Sequence, residues 1–268
     1  MAPTFFQHFL ADPQYARLGG TALALGALMS AEALWPRRAA LRGRRWLGNI
    51  ALLLWSGLVL AALPIASIGV AAWAQAHHVG LFSWLAPSRA VEIALTVIAL
   101  DMAMYWQHRS MHGPAWLWRL HRVHHSDVEF DTTTALRFHP AELLAATAWK
   151  WGAIVLLGAS PVAVLVYETV TGVFALFVHA NLRLPARLDR WLRPVFVTPD
   201  LHRIHHSTAF DEGNCNFATI FSVWDRGFGS HRAQPREAHT DMPIGLDRFR
   251  DEREQRLREL LMQPLRPL

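Results

Sequence analysis

Histidines carry the chemistry of this sequence. His108 and His112 stand four apart in HRSMH. His121, His124 and His125 form HRVHH, and His202, His205 and His206 repeat that spacing in HRIHH. On a helix, residues three and four apart share a face, so each motif presents its imidazoles together. The three faces offer eight imidazoles, more than one ion of even octahedral coordination can use, and two metal ions sharing them is the economical reading. Imidazole suits iron, zinc, copper and nickel. The single cysteine, Cys215, leaves no internal disulfide and no cysteine-based zinc site. A histidine-rich surface patch is the bland alternative. The motifs follow apolar segments and helix-capping residues, which speaks against it.

The elements that must position these groups read as membrane helices. Hydrophobic residues make up 52% of the 268 residues, charged residues only 18%, and there are 12 Trp, a composition of membrane rather than soluble proteins. The net charge is +5, and Lys150 is the only lysine. A basic balance could suit nucleic acid, but beside such apolar segments it favours anionic lipid headgroups, and no nucleic-acid partner is expected. Arginine in place of lysine and abundant alanine suggest a GC-rich, bacterial genome and hence the inner membrane.

Residues 1–16 lack the basic region and cleavage site of a signal peptide. Residues 18–35 are apolar apart from Glu32 and just long enough to span, since a crossing helix needs roughly 20 residues. Arg37, Arg38, Arg42, Arg44 and Arg45 follow and mark the cytoplasmic side. The apolar run 46–74 contains Pro64, so it kinks or divides into two helices. A loop at 76–89 falls on the far side, and residues 90–107 return to deliver His108 to the cytoplasmic side. Gly113 and Pro114 suit the end of that helix and the first position of the next. Residues 141–160 and 162–179, split by Ser160-Pro161, read as a hairpin dipping into the membrane and ending at His179. Thr198-Pro199-Asp200 supplies an N-cap, a proline at the first helical position and an acid in the first turn of the helix bearing the third motif.

The expected fold is therefore all-α: a multi-pass transmembrane helical bundle with a cytoplasmic histidine-rich helical cap holding a di-metal centre. Residues 1–89 would be N-terminal transmembrane helices, 90–232 a catalytic domain, and 233–268 a cytoplasmic tail forming an amphipathic helix.

A ligating histidine usually donates its second N–H to a carboxylate or carbonyl. Asp101 lies seven residues before His108, on the same face about two turns deeper, and a carboxylate there is functional by default. Glu168 stands in the same phase to His179, eleven residues away, and Asn181 lies two residues beyond His179, where it could act through water. Asp127, Asp131, Glu142 and Asp200 flank the motifs in sequence. For Asp127 and Asp131, helix caps or solvated loop residues are the plainer reading.

The order HX3H, HX2HH and a distal HX2HH, set among YWQHR, LWRLHRVHHS, TTALRFHPAE, FVHANLRLP, VTPDLHRIHHS and SVWDRGFG, resembles the fatty acid hydroxylase/sterol desaturase superfamily of integral-membrane di-iron enzymes over residues 90 to 232. By this resemblance His108, His112, His121, His124, His125, His202, His205 and His206 are iron ligands. The family has further histidines between the second and third motifs. His179 fits that place best and His139 is a second candidate, although His139 could equally pack or hydrogen-bond beside Pro140. The resemblance implies O2-dependent hydroxylation or desaturation of an unactivated C–H position in a lipid, whether sterol, fatty acyl or related. It implies two iron ions, for which zinc could substitute in purified samples. No GxGxxG fingerprint or haem-attachment motif is visible, so a separate electron donor is expected, a ferredoxin or cytochrome b5-type protein with its reductase. Two other readings stay open: a metal-dependent membrane hydrolase, although HExxH is absent, and a non-enzymatic metal-binding or transport protein.

Overall fold

The computed structural model describes residues 13–39 and 43–267; the readings of residues 1–12 and of Arg42 lie outside the described residues. The helices are α1 (Pro13–Leu34), α2 (Gly43–Ala61), α3 (Ser67–Ala76), α4 (Leu81–Leu85), α5 (Arg89–Met111), α6 (Ala115–His125), α7 (Pro140–Leu157), α8 (Pro161–His179), α9 (Ala186–Leu192), α10 (Pro199–His205), α11 (Phe210–Gly213), α12 (Val223–Gly227) and α13 (Leu257–Met262). Among the described residues there is no strand, only isolated bridges such as Pro36 with Leu182.

Helices α5 and α8 are long and apolar enough to cross a membrane. At 1.5 Å per residue they reach about 35 and 29 Å, against a hydrocarbon core of about 30 Å. The outward faces of α2, α5 and α7 are apolar: Leu54, Leu58, Leu95, Ile98, Trp149 and Leu156 are all exposed, a pattern suited to contact with lipid.

Breaks between helices follow local chemistry. Leu63-Pro64-Ile65 separates α2 from α3, because proline removes a backbone donor. Helix α7 ends at Gly158 with φ of 67°, and α8 starts from Ser160, whose hydroxyl accepts the Ala163 N–H, with Pro161 in the first turn. Gly158 lies against Gly80 (φ 99°): a Cβ on Gly80 would come within 2.2 Å of the Gly158 nitrogen, so neither position tolerates a side chain. The Glu92 carboxylate accepts the Ser160 N–H at 2.7 Å and ties the start of α5 to the same turn. Pro114 is the N-cap of α6, with extended backbone, rather than its first helical residue.

At the other end, α5 and α8 finish and α7 begins beside α6, so the histidine-bearing segments share one layer. A buried polar network backs α6. Arg45 donates to Asp127 at 2.8 Å and also to Asp131. Asn49 and Thr134 add bonds to Asp127, and the Trp46 indole donates to Asp131. Arg137, fully buried, reaches the Val123 carbonyl, Ser126, Asn49 and Gln255. Burial would push the Asp127 carboxyl up, but the guanidinium groups of Arg45 and Arg137 outweigh it and hold Asp127 below the usual carboxylate range. Asp127 and Asp131 are thus neither solvated nor simple loop residues, although Asp131 does cap the short 3-10 turn that follows it.

The tail differs from the amphipathic helix expected of it. Its described residues form two 3-10 turns around the short α13. Arg122 of α6 donates to the carbonyls of Gln263, Arg266 and Pro267, and Leu260 packs with Leu52 and Val123. Extended backbone at Arg256 separates the first 3-10 turn from α13, and the arginine that captures the tail lies more than a hundred residues upstream.

Removing one member of a buried ion pair leaves the other uncompensated. Asp127→Ala should therefore lower stability by about 3–5 kcal/mol, read as a fall in melting temperature in detergent. Asp211→Ala, at an exposed pair with Arg232 and Arg236, should leave it unchanged.

Candidate metal centre

Nine histidines converge in two groups. His108, His112, His121, His125 and His205 form one; His124, His179, His202 and His206 form the other; within each, one ring nitrogen per residue lies within 4.8 Å of the rest. His108 sits in the last turn of α5 and His112 caps it. His121, His124 and His125 end α6, His179 ends α8, and His202, His205 and His206 occupy α10 and its C-cap.

The repeated HX2HH motif does not serve a single ion. In α6 the first and third histidines join one group and the middle one the other. In α10 the assignment is reversed, with His205 crossing to the first group and His202 and His206 to the second. The cause is helical phase: at 3.6 residues per turn, adjacent residues diverge by about 100°, so the shared face of each motif spans both sites.

Several imidazoles have their tautomer set by an acceptor. The Nδ1–H of His108 donates to the Phe217 carbonyl at 2.7 Å, that of His205 to the Cys215 carbonyl at 2.7 Å, and that of His179 to the Ala175 carbonyl at 2.7 Å. His121 donates to Glu142 Oε1 at 2.6 Å. Each then keeps its lone pair on Nε2. Those Nε2 atoms face one another: His108 to His121 and to His205 at 3.0 Å, and His179 to His124 and to His202 at 3.1 Å. Burial, with His121 nearby, holds His205 down to about 3, so no proton bridges His205 and His108 at neutral pH. His206 is fully buried with no hydrogen-bond partner at either ring nitrogen, which is costly for a polar group. Facing lone pairs and an orphaned imidazole are what a bound cation at each group would satisfy, and an all-imidazole donor set fits iron or zinc.

The remaining predicted site residues lie elsewhere. His139 belongs to neither group: its Nδ1 accepts the Ala141 N–H at 3.1 Å and its Nε2 donates to the Leu261 carbonyl at 3.2 Å, leaving no lone pair for a metal. Asp101 does not touch His108. It accepts the N–H groups of Ile220 and Phe221 and the Trp224 indole, and so holds the loop whose Phe217 carbonyl receives His108. Asp225 supports the same loop through the Phe217 and Ala218 N–H groups, its carboxyl pushed up to about 6 by burial. Glu168 pairs with Lys150 and Arg17, each at 2.5 Å, and contacts no histidine. Asn181 clamps the backbone of Arg38, and its own N–H donates to Glu32. The carboxylate that does orient a histidine is Glu142, twenty-one residues from its partner; its place on α7 below RFHP was the available signal. Asp225 lies in SVWDRGFG, where only its conspicuous setting pointed to it.

A cavity of about 320 Å³ opens beneath the histidines between α5, α7 and α8. His108, His121, His124, His179 and His202 form its roof, Met104, Leu143, Ala146 and Val178 its walls, and Lys150 and Tyr167 its floor. A second cavity of about 490 Å³ reaches His112 and His125 from the opposite side, past Trp118.

Outer partners of ligating histidines are worth roughly 10–100-fold in metal affinity. Glu142→Gln should weaken metal retention by about that factor, and His124→Ala and His205→Ala should each lower metal per chain. His139→Ala should leave it unchanged. Elemental analysis of detergent-purified protein decides; full metal content in both His124→Ala and His205→Ala would remove the ligand assignment.

The sequence profile of the fatty acid hydroxylase family matches residues 93–230. An ornithine lipid hydroxylase of Rhizobium tropici is 32% identical over 184 residues, covering 68% of this chain and 54% of that protein. An alkylglycerol monooxygenase of Caenorhabditis elegans is 31% identical, over 54% of this chain and 27% of its own length. A Delta(7)-sterol 5(6)-desaturase of Gibberella zeae is 24% identical, over 57% and 44% respectively. The chain thus spans about half, or less, of these relatives. No solved structure matches it. The match spans all three histidine motifs and the loop that supports them, and the chain belongs to the fatty acid hydroxylase family of the fatty acid hydroxylase/sterol desaturase superfamily.

Proposed function

We propose that the protein is a membrane-bound, O2-dependent di-iron oxidoreductase that hydroxylates or desaturates an unactivated C–H position of a lipid. The observation that carries this reading is the pairing of nine imidazoles, seven of them buried, in two groups with an apolar-walled cavity directly beneath them. Relatives named as lipid hydroxylase, monooxygenase and sterol desaturase support it.

His108, His112, His121, His125 and His205 would hold one ion, and His124, His179, His202 and His206 the other. Two iron ions, when bound, would supply the oxidising power drawn from O2. The chain's own residues do the rest. The carbonyls of Phe217, Cys215 and Ala175 and the Glu142 carboxylate fix the tautomers of four imidazoles and aim them. Met104, Leu143, Ala146 and Val178 line a space that would hold an alkyl segment of the substrate against the roof and keep water from it. The substrate would enter laterally from the bilayer. A separate donor, a ferredoxin or cytochrome b5-type protein with its reductase, would approach the opposite face, where the Trp118 ring lies 5.0 Å from that of His112.

We place the histidine layer on the cytoplasmic side of a bacterial inner membrane, within a multi-pass bundle, on the strength of the arginines around Arg45. Residues 90–232 would form the catalytic unit.

Cells expressing the chain should convert a lipid to a product heavier by one oxygen, or lighter by two hydrogens, only in air, as read by lipidomics. The His205→Ala variant should make none. Equal lipid profiles for both proteins, or conversion without O2, would sink the reading. A reporter fused after Arg45 should read cytoplasmic.

A further inference from the structure

Away from the histidines, a cavity of about 700 Å³ opens beside α9. Arg37, Arg183, Arg190, Arg193 and Arg226 line it, opposed by Asp189 and Asp200 alone. Those two carboxylates are already engaged: Asp189 with Arg193 at 2.6 Å, and Asp200 with Arg37 at 3.1 Å and with Arg203 behind it. Arg226 spends its guanidinium on the Arg193 carbonyl, which leaves its charge uncompensated. Arg183 and Arg190 are exposed, and no carboxylate pairs with either among the described residues. The concavity therefore carries an excess of three positive charges.

Its position identifies the source of the matching anion. Phe196, just after α9, packs its ring 5.7 Å from that of Phe174, five residues before the end of α8, and so about 7 Å along that helix from His179. The segment just after α9 thus packs beside the last turns of a helix apolar enough to span a membrane. Leu188, Trp191 and Val195 project outward next to the arginines, Trp191 being 74% exposed. An exposed tryptophan flanked by aliphatic side chains suits the boundary between headgroups and acyl chains. Arginine is the side chain that grips phosphate in two-point fashion.

We propose that this cavity binds the phosphate of an anionic membrane lipid, with Arg183, Arg190 and Arg226 on the headgroup and Leu188, Trp191 and Val195 against its acyl chains. The site is separate from the histidine centre and does not depend on the reaction proposed for it. It is linked to that centre through Asp200, in the first turn of the helix that carries His202, His205 and His206. A bound headgroup would fix this side of the histidine layer at the membrane surface.

The test is native mass spectrometry on the full chain purified in detergent and titrated with phosphatidylglycerol or phosphatidylcholine. Wild type should retain phosphatidylglycerol in preference to phosphatidylcholine. The double variant Arg183→Gln/Arg190→Gln should weaken that retention on the order of tenfold or more, with metal per chain unchanged. Arg253→Gln/Arg258→Gln removes the same charge from the distant tail and should retain the lipid as wild type does. Equal loss in both double variants would show a diffuse charge effect and overturn the site, as would full retention in Arg183→Gln/Arg190→Gln. Displacement of the lipid by an equal concentration of inorganic phosphate would also overturn it, since the source would then be a free anion. The single variant Arg190→Gln, on an exposed helix face, gives the same reading if the double variant does not fold.

Discussion

Imidazole lone pairs repel one another, and the rest of this structure is arranged to hold them together. Pairs of ε2 nitrogens sit 3.0–3.1 Å apart, and the protons of His108, His121, His179 and His205 are committed elsewhere, to backbone carbonyls or to Glu142. Such a constellation cannot assemble by attraction among its members. It needs rigid carriers, and each carrier is held from behind. Helix α6 is backed by the Arg45–Asp127–Arg137 network and by Arg122 gripping the tail. Helix α10 is anchored through Asp200, which accepts from Arg37, and through Arg203, which donates to the Ala180 carbonyl. The loop that receives the protons of His108 and His205 hangs from Asp101 and Asp225.

This explains why so many charged groups are buried near the site without touching it. Asp101, Asp127, Asp131 and Asp225 are all almost fully buried, and none contacts a histidine ring. Asp127 and Asp131 instead tie down the segment that follows α6, and Asp101 and Asp225 hold the loop whose Phe217 carbonyl accepts from His108. Placing the carboxylates one step away keeps negative charge off most of the imidazoles and leaves them a neutral donor set; Glu142 is the exception.

Much of this was legible in the sequence, and what was not has definite causes. The HX2HH spacings announced shared helical faces, and the apolar runs announced helices delivering them to one layer. The division of each motif between two groups follows from the same helical period, but which histidine goes where depends on how α6 meets α10, a tertiary fact. Asp101 stood out as a costly carboxylate. Phase arithmetic linked it to the nearest histidine on its own helix, whereas its bonds run to a loop about 120 residues later. Glu168 stood out likewise, and the partners that absorb it, Lys150 and Arg17, lie on other helices. His139 sits in a stretch that resembles the family's, yet its ring closes a helix cap.

The contact between Gly80 and Gly158 has a mechanical consequence. The turn joining α7 to α8 is keyed into the loop after α3, with no room for a methyl group between them, and Glu92 pins α5 to the same place. At their other ends α5 and α8 terminate in the histidine layer. These rods are thus clamped at both tips, and a rod so clamped can bow but cannot swing. Any widening of the cavity beneath the histidines would come from transient bulging of these rods, where Ala146 and Gly172 leave the walls thin, and not from the helices parting like a hinge.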